Sequence, residues 1–176
     1  MTGRLNGAMV KVIRADAVNP RGERNVINGD VSLLQGFDFN KNARLATTFL
    51  APFTTAIDRP AGTFTVDIPA FVPADMIHAP EGATHFRLKA GGAAMDFGKM
   101  DYVAARSESA DVPLTKPQGP LQLNLAVTPN STNPLLLVFG IGFMQVLNGI
   151  EYRLVDRAYN AMAVVRVEGY ESIMDA

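Results

Sequence analysis

The sequence of 176 residues has no cysteine and no tryptophan. Without cysteine the chain has no disulfide scaffold, no thiolate metal site and no cysteine nucleophile, and its compartment stays open because reducing and oxidising spaces both tolerate such chains. The lack of tryptophan disfavours a carbohydrate-binding site, because sugar platforms commonly use exposed aromatic rings. Four tyrosines still offer such rings: Tyr102, Tyr152, Tyr159 and Tyr170.

A charge excess of one sign and a long apolar run are missing as well. The 16 basic and 17 acidic side chains leave a formal charge of -1, so no overall field attracts nucleic acid or an anionic membrane. The most apolar stretch, residues 135–147, is shorter than the roughly 20 residues of a membrane-spanning helix. Lys11 and Arg14 interrupt the apolar stretch near the N-terminus, so no secretory signal is predicted. We therefore expect a cytoplasmic protein without a membrane or nucleic-acid partner.

Residues 1–17 are predicted to form an amphipathic helix. Apolar residues fall at the i, i+3, i+4, i+7 and i+8 positions of one helical face: Leu5, Ala8, Met9, Val12 and Ile13. Asn19-Pro20 is expected to stop the helix and open a connector over residues 18–36. This connector should hold a short helical turn, with Asp30 as its N-cap and Gly36 as its C-cap.

Residues 37–170 have the pattern of an antiparallel β-sandwich of about 7–9 strands, followed by a tail over residues 171–176. Turn residues recur at short intervals, which leaves no room for crossover helices. A first hairpin is predicted around residues 58–62, with arms at residues 47–57 and 63–68.

Prolines and glycines mark the later turns of this β region. The proline-rich residues 69–82 predict a loop with one short helical turn. The apolar positions change from even to odd numbers after Gly91-Gly92, which predicts a glycine bulge. Asn148-Gly149, between two apolar runs, predicts a type I′ hairpin turn, because both central residues of that turn need a positive φ.

Residues 134–147 are apolar on both faces, which predicts a strand that is covered on both sides. Gly140 and Gly142 lie on one of these faces and leave a groove where another backbone can approach closely. The N-terminal helix is the expected occupant of this groove.

Two stretches of the chain resemble known sequences. They are GATHFRLKAGGAAMDF and TPNSTNPLLLVFGIGFMQVLNGIEYRLVDRAYNAMAVVRVE. Together they resemble a group of uncharacterised bacterial β-rich proteins over residues 20–168. The shared motifs are strand and turn patterns, so the resemblance implies a fold and assigns no catalytic residue.

The two histidines, His78 and His85, are the main candidates for chemistry. With a carboxylate such as Asp75 or Asp96 they could form a zinc or iron site, but their spacing matches no known ligand signature. No serine lies in a G-x-S-x-G elbow, so a serine nucleophile is not predicted. We therefore expect loop or surface histidines, no catalytic, cofactor-binding or metal-binding residue, no cofactor and no enzymatic activity.

Charge is distributed unevenly along the chain. Residues 1–24 hold five basic and two acidic side chains, so this segment carries +3 and the remainder carries -4. The favoured interpretation is a helix that docks on its own acidic body. The alternative is an arm that contacts a polyanion.

These patterns favour a non-enzymatic structural or protein-interaction module that self-assembles or binds a protein partner, as a phage or mobile-element component would. The alternative is a ligand-binding β-sandwich module of the carbohydrate-binding type. The connector lets the helix reach its own body or a neighbouring subunit, and we favour exchange between subunits. The predicted partner surface consists of Leu5, Met9, Val12, Ile13, Gly140 and Gly142.

Overall fold

The computed structural model describes residues 2–154 and 159–170, and this part of the chain is mostly β. Its helical elements are α1 (Thr2–Arg14), a 3₁₀ helix (Val31–Leu34), α2 (Leu45–Thr48) and α3 (Pro73–Met76). Its strands are β1 (Thr54–Asp58), β2 (Thr63–Ile68), β3 (His85–Asp96), β4 (Asp101–Glu108), β5 (Val112–Pro113), β6 (Leu121–Ala126), β7 (Leu135–Leu147), β8 (Ile150–Arg153) and β9 (Ala161–Glu168). Among the described residues, no helix combines the length and apolar character needed to cross a membrane. The predicted tail, residues 171–176, lies outside the described residues.

The strands form two antiparallel sheets. The larger sheet has the order β4-β3-β7-β8, with β5 continuing the β4 side of β3 and β9 pairing with β7 on the β8 side. The smaller sheet has the order β1-β2-β6. β3 and β7 therefore lie at the centre of the larger sheet, and β7 is the longer of the two.

One buried cluster joins the two sheets. Phe64 and Val66 of β2 are fully buried, as are Phe86 of β3 and Phe139 of β7. These residues alternate with more exposed ones along each strand, which is the pattern of strands with one face toward a core. Each such side chain contributes about 1.5–3 kcal/mol of burial free energy, so this cluster is the main source of stability.

The N-terminal helix covers the opposite face of the larger sheet. Val12 of α1 has 0% exposure and packs with Val31 and Leu34 of the 3₁₀ helix. Leu136 of β7 and Val167 of β9 pair across the sheet and contact the same cluster. In the structure the helix docks on its own chain, and exchange between subunits stays a prediction.

α1 ends at Arg14, several residues before Asn19-Pro20, where the sequence predicted that it would end. The cause is Asp16, whose carboxylate accepts hydrogen bonds from the backbone N–H groups of Val18 and Asn19 at 2.9 and 3.0 Å. A side chain that bonds nearby backbone in this way competes with helix continuation.

The predicted turn in the connector is confirmed. The Asp30 side chain caps the 3₁₀ helix by accepting from the backbone N–H of Ser32, whereas the C-cap is Gln35 and not the predicted Gly36, which follows at φ 83°. The helical turn expected in residues 69–82 is present as α3, which begins at Pro73. The first hairpin is confirmed as well, but its first arm starts at Thr54, because residues 45–48 form α2.

The glycine bulge predicted at Gly91-Gly92 is wrong. Both glycines pair in unbroken register with β7 and with β4, and the irregularity lies between Leu137 and Val138, where β7 faces β9. Gly92 is required because a Cβ there would approach Leu125 Cδ1 at 2.7 Å and Phe64 at 3.0 Å. The apolar positions change from even to odd numbers because the cluster of Val12, Val31 and Leu34 covers the opposite face of the sheet just after β3, where Phe97 packs against it.

The predicted Asn148-Gly149 turn is confirmed, with φ values of 50° and 79° between the paired residues Leu147 and Ile150. Gly149→Val should destabilise the protein by about 1–3 kcal/mol, because a β-branched side chain is forced to a positive φ. Gly119→Val is the matched control, since Gly119 has open space for a side chain and no positive φ. Chemical denaturation measures both, and equal stability of the two variants would contradict the turn geometry.

The docking of α1 is tested by two neighbouring valines. Val12→Asp should cost at least about 2 kcal/mol, because it places an unpaired carboxylate at a fully buried position. Val10→Asp should cost little, since Val10 is 42% exposed.

A variant lacking residues 1–17 separates the two docking modes, with its mass measured by light scattering and its stability by chemical denaturation. Lower stability at unchanged mass supports self-docking, whereas a drop to monomer supports exchange between subunits.

Candidate functional site

The residues of the predicted partner surface do not come together. Gly140 and Gly142 are buried, and a Cβ at position 140 would overlap the carbonyl oxygen of Ala161. A Cβ at position 142 would lie 3.7 Å from Lys89 Cε and 3.8 Å from the Asn160 side chain. The expectation that the helix fills this groove is therefore wrong. β9 closes the groove at Gly140, and the neighbours of Gly142 are Lys89 and Asn160 rather than helix residues.

A network of charged side chains lies over the same end of the larger sheet. Arg87 pairs across the strands with Gly142, and its guanidinium lies 2.6 Å from Asp111, 3.3 Å from Glu151 and 3.6 Å from Glu108. The hydrogen bond to Asp111 raises the pKa of Arg87, partial burial opposes that rise, and the Asp111, Glu151 and Glu108 charges add to it. Every cation in this network has an acidic partner, so we interpret it as a structural cover for the sheet.

The histidines lie in ordinary hydrogen-bonded positions. His78 Nδ1 is 2.7 Å from the carbonyl oxygen of Thr47, and His85 Nδ1 is 2.9 Å from Thr84 Oγ1. The structure does not bring them together with Asp75 or Asp96. Within residues 2–154 and 159–170, no group of three or more His, Cys, Asp or Glu side chains could hold a metal ion.

The two edges of the larger sheet, β9 and β4, are covered differently. β9 is covered by residues 36–39, whose backbone exchanges hydrogen bonds with Val164 and Met162. In the described part of the chain, no strand pairs with β4 on the side away from β3. Apolar side chains are exposed along this edge and just before it: Met100 (92%), Tyr102 (64%) and Val103 (49%).

The hydrogen-bond pattern identifies which main-chain groups of β4 are free. The backbone N–H of Ser109 donates to the carbonyl of Leu88 at 2.9 Å, so odd-numbered positions of this segment bond to β3. Hydrogen-bonded pairs alternate along an antiparallel ladder, and the even-numbered residues 102, 104, 106 and 108 therefore point their N–H and C=O groups outward. The N–H of Tyr102 fits this pattern, since it donates to the side chain of its neighbour Asp101.

A polar cavity of about 200 Å³ lies beside the same strand. Its lining includes Asp96, Lys99, Asp101, Tyr102, Thr128, Ser131 and Asn133. The backbone N–H of Lys99 donates to Asp96 and lowers the pKa of that carboxyl, burial opposes this, and the Lys99 charge lowers it further. The cavity thus combines a charged carboxylate, hydroxyl and amide groups, and one exposed tyrosine.

Three arginines surround a second cavity, of about 450 Å³, where the chain leaves α1. The lining residues are Val10, Ile13, Arg14, Arg21, Gly22 and Arg24. The Arg24 guanidinium is held by the backbone, donating from Nη1 to the carbonyl oxygen of Arg14 at 3.2 Å and from Nε to that of Asn19 at 3.4 Å. A concentrated positive surface therefore lies at the C-terminal end of α1.

Asp16 holds the turn that carries these arginines. Its side chain is 1% exposed and accepts hydrogen bonds from the backbone of Val18 and Asn19, from Asn19 Nδ2 at 2.8 Å and from the backbone of Asn25 at 3.1 Å. Burial alone would raise the pKa of Asp16, but the hydrogen bonds from Asn19, Asn25 and Val18 lower it to about 2. The carboxylate is therefore ionised and ties both ends of this turn together.

Sequence reasoning missed both the open β4 edge and the arginine cavity. β4 has no continuous apolar face, because it is exposed along most of its length, so periodicity gives little signal there. The local excess of positive charge in residues 1–24 did point to the arginines, but the turn that gathers them depends on Asp16. Comparisons with family models, with curated proteins and with solved structures found no match to this chain.

The Asp16 hydrogen bonds predict a specific dependence of stability on pH. Because the pKa is lower in the folded protein, the stabilisation is complete above the ordinary value of 3.8 and is lost as the pH falls toward 2. The difference in unfolding free energy between the parent protein and Asp16→Asn should therefore shrink as the pH falls from about 5 to about 2. This range covers the unfolded pKa of 3.8 and the folded pKa of about 2. Denaturation across this range measures it, with the exposed Asp75→Asn as control, and a constant difference would contradict the assignment.

Proposed function

We propose that this protein is a non-enzymatic assembly module that associates with a second copy of itself through the open edge of β4. We further infer that its two sheets pack as a β-sandwich, with the β4 side left available for assembly. The observation that carries the proposal is an eight-residue edge strand whose outer side pairs with no described strand, with Tyr102 and Val103 exposed on it and Met100 exposed just before it. Free edge strands are ready templates for pairing with another chain.

The outward main-chain groups restrict how two β4 strands can pair. In a symmetric antiparallel pair, outward-pointing residues must face one another, so even-numbered residues pair only with even-numbered residues. The register centred on Ala104 meets this condition and places Tyr102 opposite Arg106 of the second copy. Ala104 then faces its own copy at the two-fold axis, where its small side chain allows close approach.

Side-chain chemistry favours this register. Each Arg106 guanidinium lies beside the ring of Tyr102 from the other copy, an arrangement that permits cation–π contact. Asp101 lies opposite Ser107, and Glu108 extends past the start of the other copy's β4, so like charges are not opposed. The pairing joins the larger sheets of two copies into one continuous sheet and closes as a dimer, which could serve as a building block of a phage or mobile-element structure. One edge strand gives a small interface, so we expect weak association in the micromolar range.

A carbohydrate-type ligand is the second candidate, and the polar cavity beside β4 favours it. Asp96, Ser131 and Asn133 offer acceptors and donors there, and the Tyr102 ring is exposed at its border. This candidate predicts a monomer that binds soluble oligosaccharides of glucose or N-acetylglucosamine in calorimetric titration, with binding lost in Asn133→Ala. That result would replace the assembly proposal.

The edge-pairing proposal is tested by Ala104→Pro. Proline removes the outward N–H of residue 104 but no bond to β3, so the variant should keep its fold and become monomeric. Analytical ultracentrifugation at micromolar concentration measures the mass, and the melting temperature checks the fold. Ala104→Ser keeps the N–H and should remain dimeric.

Tyr102→Lys gives an independent check, because it sets a cation opposite Arg106 without touching the core. This variant should also be monomeric. A monomeric parent protein would contradict the proposal, and so would a stable dimer in both Ala104→Pro and Tyr102→Lys.

A further inference from the structure

We propose that the arginine cavity at the end of α1 binds a phosphoryl-bearing anion with a small apolar group. This site is separate from the β4 edge and does not depend on it. The cavity is lined by Arg14, Arg21 and Arg24 together with the apolar Val10 and Ile13. The two apolar side chains suit an apolar substituent, while the guanidinium groups suit the anionic head.

Among the described residues, the arginines of this cavity have no salt-bridge partner. Arg87 of the larger sheet pairs with three carboxylates, whereas Arg14, Arg21 and Arg24 form no ion pair with any described residue. The nearest carboxylates along the chain make no direct ion pair with them in the described residues. Asp16 is bonded to backbone and to Asn19, and Glu23 forms no ion pair within the described residues. With Asp16 and Glu23 in the same segment, the three arginines still leave a local excess of positive charge, which a bound anion would offset.

The arrangement is partly ordered before a ligand binds. Two carbonyl oxygens hold the Arg24 side chain, and the Asp16 hydrogen bonds fix the turn on which Arg21 and Arg24 lie. Groups that are already in place lose less conformational entropy on binding, so the anion gains affinity.

A phosphoryl group fits this site better than a carboxylate. A phosphomonoester carries a charge of about -1.5 to -2 at neutral pH and three acceptor oxygens. The planar guanidinium fork binds such oxygens two at a time. A carboxylate offers one charge and two oxygens, which leaves part of the positive cluster uncompensated.

Phenyl phosphate and benzoate are matched probes, because they share the ring and differ in the anionic head. Calorimetric titration at fixed ionic strength should show phenyl phosphate binding, with benzoate weaker by roughly tenfold or more. Inorganic phosphate should bind more weakly than phenyl phosphate, because it leaves Val10 and Ile13 uncovered. Arg21→Gln should weaken phenyl phosphate binding by roughly tenfold, since Arg21 has no structural contact to replace.

Arg44→Gln is the control, because it removes one exposed arginine outside the cavity and should leave binding unchanged. Vesicles of phosphatidylcholine with and without phosphatidic acid distinguish a lipid headgroup from a soluble phosphate ester. Binding of the acidic vesicles that is lost in Arg21→Gln supports the site with a lipid source, and binding of phenyl phosphate alone supports a soluble source.

Three results would overturn the proposal. They are equal affinity for benzoate and phenyl phosphate, equal loss of binding in Arg21→Gln and Arg44→Gln, and no binding of any phosphoryl probe. Binding of a single-stranded oligonucleotide without binding of phenyl phosphate would replace it with a polyanion surface.

Discussion

The fold depends on covering both faces of β7. Leu135, Leu137 and Phe139 point to one face and Leu136 and Val138 to the other, so neither face of this strand can be left in water. The smaller sheet covers the first face through the main buried cluster. The second face needs two different covers. The helix cluster packs over Leu136, and the charged Arg87 and Lys89 side chains lie over the glycine end.

Predictions that depend on a few neighbouring residues succeeded, and one that depends on what covers each face of the sheet did not. The Asn148-Gly149 turn and the Asp30 cap were predictable because each depends on the conformational preference of a few neighbouring residues. The bulge at Gly91-Gly92 was wrong because a change of apolar parity has two causes that sequence cannot separate. One is an inserted residue, and the other is a new cover on the opposite face, which is the cause here.

The same limit applies to the candidate sites. Gly140 did mark a close approach, but the backbone that approaches it comes from β9, and a side chain at Gly142 would make ordinary contacts with Lys89 and Asn160. Contact partners that are distant along the chain cannot be read from local pattern. The β4 edge gave no signal because an exposed edge strand has no core face to display. Its openness is a property of the sheet order, which only the structure provides.

The near-neutral charge of the chain conceals two opposite local arrangements. At one end of the larger sheet, Arg87 is surrounded by carboxylates and carries little net field. At the end of α1, the only buried carboxylate, Asp16 among the described residues, has its oxygens occupied by backbone and Asn19 donors. It therefore orders the turn, and no other described residue forms a salt bridge with these arginines. A carboxylate bonded to those arginines would have neutralised them directly. Because the Asp16 oxygens accept from backbone N–H groups and Asn19 instead, a positive cavity remains on a protein of net charge -1.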